Sequence, residues 1–209
     1  MGQPTKGVVD YVATLKRAAT EQSGDLVGFL LEELPYVWRD AYCEMTSRQT
    51  NIVRWRYSSF EYLFHDHASL EATGAVPLDP NAEARLIAAL GLSHPREKTR
   101  DDYRLKGWIG ATERTFGSGW DKGHFIAHSI GGAVDGLEAN LFVQRRDLNR
   151  GWSEAGKRFR DMEQYCCLRP RTLCFSRPLY VDETARPAQV EFGVLKENRE
   201  LWVECFDNR

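Results

Sequence analysis

Apolar residues recur every three or four positions in the first part of the chain. The stripe in Val8–Ala19 predicts a short helix, and the stripe in Leu26–Leu34 predicts a second, more apolar one. Ser58 with Glu61 three residues later is a capping-box signature. It predicts a third helix, which Gly74 would close.

A fourth helix is predicted around Pro80. Asp79–Pro80 is typical of an N-cap followed by a first-turn proline, residues 86–90 provide an apolar stripe, and Gly91 would end the helix. These segments together predict that residues 1–95 form a mostly helical region. A polar run over 93–102 marks its boundary.

The pattern changes to strands and glycines after residue 103. Leu105–Ile109 suits a short strand, while Trp120–His124 and Asn140–Gln144 predict the two strands of a hairpin. Three further strands are predicted within residues 173–206. A helix is predicted to begin near Asp147 and to bury one face made of Trp152, Ala155, Phe159, Met162 and Cys166. The chain is therefore predicted to be an α+β protein.

Composition and charge narrow the class of protein. The 209 residues are 42% hydrophobic and 11% aromatic, enough for a substantial core. A net charge of −2 is unusual for a protein that grips a polyanion, because phosphate contacts come from Lys and Arg. Residues 141–160, however, hold six basic and two acidic residues, so a narrow basic surface is expected there. Acidic surface elsewhere is available to a protein partner.

Cysteine usage and hydropathy predict a compartment. The five cysteines form no C-x-x-C pair, which predicts reduced thiols in a cytoplasm. A zinc site formed by Cys166, Cys167, Cys174 and a nearby His is the alternative. No apolar run approaches the ~20 residues of a membrane span, and no signal peptide is visible. We expect no membrane association and a cytoplasmic protein, or one delivered to another cell without a signal peptide.

The candidate chemistry is concentrated in residues 120–152. His124 can accept a proton from water near neutral pH. Asn149 offers an oxygen of the kind that Mg²⁺ prefers, while the ion keeps several of its waters. One histidine followed at fixed intervals by carboxamides suits metal-assisted attack on a phosphodiester.

Three motifs carry a family resemblance: D-x-G-H at Asp121–His124, N-x-x-x-Q at Asn140–Gln144 and D-L-N-R-G at Asp147–Gly151. In this order they resemble the DNA/RNA non-specific endonuclease family of ββα-metal (His-Me finger) nucleases. The run G-H-x-I-A-x-x-x-G-G is similar to a bacterial subgroup of that family. The resemblance implies a helical region, residues 1–95, followed by a ββα-metal nuclease domain with flanking antiparallel strands, residues 96–209.

The resemblance also implies roles for individual residues. His124 would be the general base, and Asn149 would hold one Mg²⁺, for which Mn²⁺ can substitute. Asn140, or a backbone carbonyl, is expected to hold the other ring nitrogen of His124. An upstream arginine is expected to stabilise the transition state. The candidates are Arg100, Arg104 and Arg114.

The predicted substrate contacts are basic residues near the motifs. They are Lys122, Arg145, Arg146, Arg150, Lys157 and Arg160. Asp121 and Gln144 are predicted to contact the site residues and hold them in position, without binding the metal or the substrate themselves. In a continuous helix, Asn149 and Gly156 would share a stripe, where Gly156 would let a nucleic-acid strand approach closely. A merely tolerated glycine is the alternative.

Two positions depart from the family pattern. Lys122 stands where better-known members have Arg, so the charge is kept but the planar, bidentate grip on phosphate is lost. Lys157 stands where many members have a Glu that orients water on the metal. Glu154 and Asp161 would lie on other faces of a continuous helix. We therefore expect an acid from elsewhere in the fold, or reduced activity.

These features predict a largely sequence-nonspecific endonuclease acting on DNA, with RNA left open as a substrate. Such an enzyme is a hazard to its own cell, so a bacterial toxin or defence effector is expected. Residues 1–95 would bind a delivery, sensor or inhibitory partner. One alternative is a nucleic-acid-binding or interaction protein with weakened catalysis on the same fold. The other is a sequence-specific HNH-type nuclease.

Overall fold

The computed structural model describes residues 7–21, 24–46, 52–65, 85–94, 116–133, 140–182 and 184–209. Within them the elements are α1 (Tyr11–Thr20), α2 (Leu26–Thr46), β1 (Ile52–Tyr57), β2 (Phe60–His65), β3 (Arg85–Leu92), β4 (Trp120–His124), β5 (Leu141–Arg145), α3 (Arg146–Asn149), α4 (Glu154–Leu168), β6 (Leu173–Leu179), β7 (Gln189–Leu195) and β8 (Leu201–Asp207). A 3₁₀ turn, His128–Ile130, lies between β4 and β5. The architecture is α+β with antiparallel sheets, as predicted.

Both predicted N-terminal helices are present. Asp10 caps α1, because its Oδ1 accepts a hydrogen bond from the Ala13 backbone N–H at 2.9 Å. α2 continues through Pro35. It buries Leu34 and Trp38 completely. Both helices thus form where predicted, but α1 buries Thr14 and Ala18, while Val8 and Val12 of its predicted apolar stripe are exposed.

The third predicted helix is wrong, because residues 52–65 form the β1–β2 hairpin. Tyr57 pairs with Phe60 across a two-residue turn, in which Ser58 has a φ of 56°. Glu61 forms an ion pair with Arg56 on the neighbouring strand at 2.9 Å. The spacing of Ser58 and Glu61 suited a helix start, but Ser58 lies in the hairpin turn and Glu61 binds across the strands. Gly74, the predicted end, lies outside the described residues.

The fourth predicted helix is also wrong where it is described, because residues 85–92 form β3. This strand lies between β2 and β6, and seven of its eight residues are buried. A strand covered on both faces is apolar without alternation, so its pattern does not separate it from a buried helix. The predicted cap, Asp79–Pro80, lies outside the described residues, as does the predicted strand Leu105–Ile109.

One sheet crosses the predicted division at residue 95. Its strand order is β1-β2-β3-β6-β7-β8, with antiparallel neighbours. β3 pairs with β6, and Leu90 lies opposite Phe175. Residues on the two sides of the division therefore share a ladder of hydrogen bonds. A regulatory or partner-binding role for residues 1–95 remains a prediction.

The large sheet separates two hydrophobic cores. On one face Trp38 of α2 packs on Phe175 of β6, with ring centroids 4.9 Å apart. On the other face Phe159 of α4 packs on Phe192 of β7, with centroids 5.2 Å apart. The β4–β5 hairpin belongs to this second layer, which carries the candidate chemistry.

The three predicted C-terminal strands are present as β6, β7 and β8. Asn208, directly after β8, accepts a hydrogen bond from the Arg145 backbone N–H at 2.8 Å. Its amide nitrogen donates to the Val143 carbonyl at 3.0 Å. This buried side chain therefore ties β5 to the large sheet.

None of the described helices is long and apolar enough to cross a membrane. All five cysteines are free thiols. Cys166 and Cys174 are buried while Cys167 is exposed. In the described part of the chain, no group of three or more His, Cys, Asp or Glu side chains is arranged to hold a metal ion.

Candidate active site

The predicted hairpin and the helix after it place the motif residues together. β4 and β5 pair so that Asp121 lies opposite Gln144 and His124 lies opposite Leu141. α3 begins directly after β5 and ends at Asn149. The histidine and the asparagine are thus brought together by three consecutive elements, as predicted.

The helix after the hairpin is divided in two. α3 ends at Asn149, Gly151 adopts a φ of 68°, and α4 begins at Glu154. Ser153 caps α4, because its Oγ accepts a hydrogen bond from the Gly156 N–H at 3.0 Å. A single helix starting at Asp147 is therefore wrong.

This break changes the inward face of the predicted helix. Phe159, Met162 and Cys166 are buried as predicted. Trp152 is 64% exposed instead, because it lies in the turn between α3 and α4 rather than on a helix. The predicted spacing of inward-facing residues therefore holds within α4 but does not extend back to Trp152.

Gly156 does permit a close approach, but by the protein's own backbone. A Cβ at this position would lie 2.5 Å from the Asp147 carbonyl oxygen and 2.9 Å from the Gly151 Cα. The predicted approach of a nucleic-acid strand at Gly156 is therefore wrong. The glycine is needed because the α3–α4 turn packs directly on the first turn of α4.

Asn140 holds the loop that follows His124. Its amide nitrogen donates to the carbonyls of Ile126 and Ala133, at 2.8 Å each. Its Oδ1 accepts from the Ile126 N–H at 2.8 Å. These bonds engage the fully buried amide, so the predicted hydrogen bond to the ring of His124 is wrong. Asn140 shapes the loop by which that ring is presented.

The Gly131–Gly132 pair forms the predicted turn in this loop. Gly131 has a φ of 100°. A Cβ at this position would collide with the ring of His94, and one at Gly132 would collide with the Ile126 carbonyl. Both glycines are therefore required for the loop to fold against its neighbours.

A cavity of about 270 Å³ opens between the hairpin, the 3₁₀ turn and the two helices. Its polar lining consists of His124, His128, Ser129, Gln144, Asn149 and Glu163. Gln144 is 1% exposed. Its Nε2 has no hydrogen-bond partner among the described residues. A buried amide without a partner is costly, so this donor suits a ligand or water in the cavity.

Asp121 organises the cationic side of the site. Its carboxylate accepts hydrogen bonds from Arg146 Nε at 3.0 Å, Arg150 Nε at 2.7 Å and Asn149 Nδ2 at 3.3 Å. Burial raises the pKa of Asp121, but these three donors outweigh it and hold the pKa below its ordinary value. Because Asn149 uses its nitrogen here, its Oδ1 is the atom left for a cation.

Glu163 is a cavity residue that the sequence patterns did not identify. It lies on α4 one turn after Phe159, and both residues line the cavity. Burial raises its pKa to about 7, although the charge of Arg160 opposes that shift. In one continuous helix Glu163 would lie on nearly the same side as Asn149 but about 21 Å further along the axis, too far away to share a site with it. Gly151 and the cap at Ser153 are the signals that would have separated the helices.

The predicted phosphate-binding residues are largely paired with acids. Arg145 binds Asp147 at 2.7 Å, and the exposed Lys157 binds Glu154 at 2.6 Å. Arg160 Nη2 donates to the Asn149 carbonyl at 3.4 Å. The local positive charge is therefore partly neutralised.

Lys122 is partly buried, and this burial lowers its pKa. Its contact with phosphate remains a prediction. The upstream arginines, Arg100, Arg104 and Arg114, lie outside the described residues.

The donor set of the cavity fits a hard divalent cation. Asn149 contributes a carboxamide oxygen and Glu163 a carboxylate, while His124 lines the same space. Mg²⁺ binds through one or two such oxygens and keeps several waters, which a cavity of this size can hold.

Comparison with known proteins yields distant similarities. No protein-family model matches the chain, and no curated protein matches it. The chain is similar to the Sda1 nuclease, solved with a bound zinc ion, at 14% identity and a TM-score of 0.39 over 76% of this chain and 74% of that one. It is also similar to an extracellular endonuclease, at 14% identity and a TM-score of 0.40 over 74% of this chain and 92% of that one. Both similarities are too distant to assign a function.

Proposed function

We propose that this protein is a metal-dependent endonuclease that hydrolyses phosphodiester bonds with little sequence preference. The observation that supports this best is the cavity that combines His124, Asn149 and Glu163. An imidazole, a carboxamide and a carboxyl group line the same space of about 270 Å³. Those are the groups that metal-assisted hydrolysis needs.

His124 would act as the general base. In the proposed step, its imidazole accepts a proton from a water molecule whose oxygen attacks phosphorus. The new P–O bond forms as the bond to the 3′-oxygen breaks. The products are a 5′-phosphate and, after protonation of the leaving oxygen, a 3′-hydroxyl.

Asn149 and Glu163 would hold the cation, which we propose to be Mg²⁺ with Mn²⁺ as a substitute. When bound, such an ion supplies positive charge that stabilises the charge developing on the phosphate. Asp121 would position the Asn149 carboxamide through its hydrogen bond to Nδ2. Glu163 would replace the acid that is missing at Lys157.

The other polar groups would act on the substrate. The Gln144 amide would donate to a phosphate oxygen that enters the cavity. The basic residues around the motifs would bind flanking phosphates. They are Lys122, Arg145, Arg146, Arg150, Lys157 and Arg160. Among the residues that the structure describes, no base-reading element is part of this arrangement, so cleavage of DNA, and of RNA if it is a substrate, would be nearly independent of sequence.

Digestion of plasmid DNA and of single-stranded RNA tests the proposal. Each substrate is incubated with Mg²⁺, Mn²⁺, Zn²⁺ or EDTA. We expect metal-dependent smearing by the wild type, a loss of roughly 10²-fold or more in His124→Ala, and similar losses in Asn149→Ala and Glu163→Gln. Asp161→Asn, which removes an exposed acid from the same helix, is the matched control and should retain activity.

Other outcomes separate the alternatives. Equal cleavage by the wild type and His124→Ala would contradict the assigned base. Binding without cleavage in every metal would favour a nucleic-acid-binding protein on the same fold. Discrete bands from plasmid would favour a sequence-specific nuclease.

A nonspecific nuclease would damage its own cell unless its activity were controlled. We therefore further propose that this protein is a bacterial toxin or defence effector, which acts in the cytoplasm or is delivered to another cell. Residues 1–95 would contact its delivery, sensor or inhibitory partner. Toxicity of the wild type but not of His124→Ala on expression in bacteria is the corresponding measurement.

A further inference from the structure

Trp152 is an exposed aromatic residue next to the candidate metal ligand. It follows Asn149 by three positions, and 64% of its surface is open to solvent. Large aromatic side chains are normally buried because they carry much apolar area. An exposed tryptophan three residues after the candidate metal ligand therefore needs an explanation.

The backbone around Trp152 is held firmly. Its N–H donates to the Asp147 carbonyl at 2.8 Å. Gly151 provides a left-handed turn, and Gly156 allows that turn to pack on α4. The ring is thus exposed on a constrained turn rather than on a loosely held loop.

The ring is paired with a cation that belongs to the site. The guanidinium of Arg150 lies 5.1 Å from the centroid of the Trp152 ring. The same guanidinium donates to Asp121 at 2.7 and 3.1 Å. Asp121 in turn accepts from Asn149. A short series of contacts therefore connects the exposed ring to the proposed metal ligand.

A second cation–aromatic pair lies on the other side of Asp121. Trp120 begins β4, and Arg186 lies 5.1 Å from the centroid of its ring. Arg146 donates both to the Trp120 carbonyl at 3.2 Å and to Asp121 at 3.0 Å. Trp152 through Arg150, and Trp120 through Arg146, are therefore both connected to the Asp121 carboxylate.

We propose that Trp152 is a stacking platform for an unpaired nucleobase of a single-stranded substrate. Arg150 and Arg146 contact the phosphates on either side of that base. Proteins that bind single strands without sequence preference combine aromatic rings with cations in this way. The substrate class is therefore single-stranded nucleic acid, or duplex that has opened locally. This inference rests on the proposed function of the same site.

The test measures binding without cleavage. Fluorescent oligothymidylate and oligouridylate are titrated in EDTA against the wild type, Trp152→Ala and Trp152→Phe. One base stacked on an aromatic ring contributes about 1–3 kcal/mol, so Trp152→Ala should weaken binding roughly 5- to 150-fold. Trp152→Phe keeps a ring and should retain most of the affinity. A blunt duplex should bind both variants nearly equally.

Tyr36 provides a matched control. It is 50% exposed. Arg39 and Arg54 lie 5.6 and 5.1 Å from its ring centroid, and it belongs to α2 on the opposite face of the sheet. Tyr36→Ala should bind every oligonucleotide like the wild type.

Two outcomes would overturn the platform. One is unchanged single-strand binding by Trp152→Ala, which would leave the ring free to contact a protein. The other is an equal loss for single strands and blunt duplex, which would indicate a general phosphate contact. Cleavage assays in metal are separate, so binding without cleavage would refute the nuclease while leaving the platform intact. A preference between the two oligonucleotides would show whether DNA or RNA is favoured.

Discussion

Glu163 has no distinctive pattern in the sequence, yet it lines the cavity of the candidate site. It lies in the middle of an amphipathic helix, where a glutamate is ordinary. Packing of α4 against α3, the 3₁₀ turn and β7 places it in the wall of the cavity with His124 and Asn149. Its pKa is raised to about 7 because burial disfavours the carboxylate. A bound cation would reverse that preference by favouring the charged form.

The free energy of unfolding in EDTA should therefore depend on the ionisation of Glu163. Its folded-state pKa lies above the ordinary value of 4.5. The neutral form of Glu163 is favoured in the folded protein. Its contribution to the free energy of unfolding is therefore fully present below the unfolded-state pKa and is lost as the pH rises toward 7. Glu163→Gln stays neutral and should lack that loss. The free energy of unfolding of Glu163→Gln, relative to that of the wild type, should rise by on the order of 2 kcal/mol between about pH 4 and pH 8.

Denaturant unfolding at the two pH values measures this difference. Asp161→Asn on the same helix should show no comparable gain. A constant difference between Glu163→Gln and the wild type would show that Glu163 is not held in its neutral form.

At the scale of elements, the site depends on the turn between α3 and α4. The turn ends the helix that carries Asn149 and begins the helix that carries Glu163. It also exposes Trp152. Glu163 lines the cavity, whereas Lys157, on the same helix, is exposed and paired with Glu154. The break therefore changes which acid is available to the cavity.

Gly156→Ala should destabilise the protein, although alanine is the better helix former by about 1 kcal/mol. The new Cβ would lie 2.5 Å from the Asp147 carbonyl oxygen. The turn must shift to relieve that contact, at a cost of roughly 1–3 kcal/mol. Because Asn149 precedes the turn, activity should fall as well.

Thermal unfolding and the plasmid assay together test this expectation. Gly24→Ala is the control, because a Cβ there would meet nothing within 4 Å. An increase in stability on Gly156→Ala would show that the turn is not tightly packed on α4.

At the scale of the whole molecule, the large sheet joins the N-terminal residues to the site layer. β3 provides the neighbour of β6, and α2 covers the face of the sheet opposite the cavity. The buried Arg177 of β6 donates to Glu191 at 2.8 Å and to the Gly7 carbonyl at 2.5 Å. Tyr11 donates to the same Glu191 carboxylate at 2.8 Å. The first elements are thus built into the scaffold.

Removal of residues 1–95 should therefore abolish folding of the remainder. It would expose the edge of β6 and uncover the apolar face that contains Phe175. The stabilising free energy lost by this truncation is comparable to the whole stability of a typical domain, about 5–15 kcal/mol. Circular dichroism during heating should show a cooperative transition for the full chain but not for the fragment. A folded, active fragment would instead establish residues 1–95 as a separable region.

The sequence predicted the hairpin and the helix start around the candidate site better than it predicted the N-terminal strands of the large sheet. The local pattern of apolar residues and turns predicted α1, α2 and the three C-terminal strands, all of which contribute residues to the two cores. The spacing from Asp121 to Asn149 predicted the hairpin, the helix start and the two residues on which the proposed mechanism depends. These are local properties, and neighbouring residues determine them.

Tertiary structure alone decided the features that depend on distant partners. β3 is a strand because β2 and β6 cover both of its edges, which an apolar run by itself does not reveal. Asn140 bonds to the loop because the fold brings the carbonyls of Ile126 and Ala133 to 2.8 Å from its amide nitrogen. Glu163 enters the cavity because the α3–α4 turn redirects α4. In each case the energy comes from contacts between segments far apart in sequence or across a turn, where local spacing carries no information.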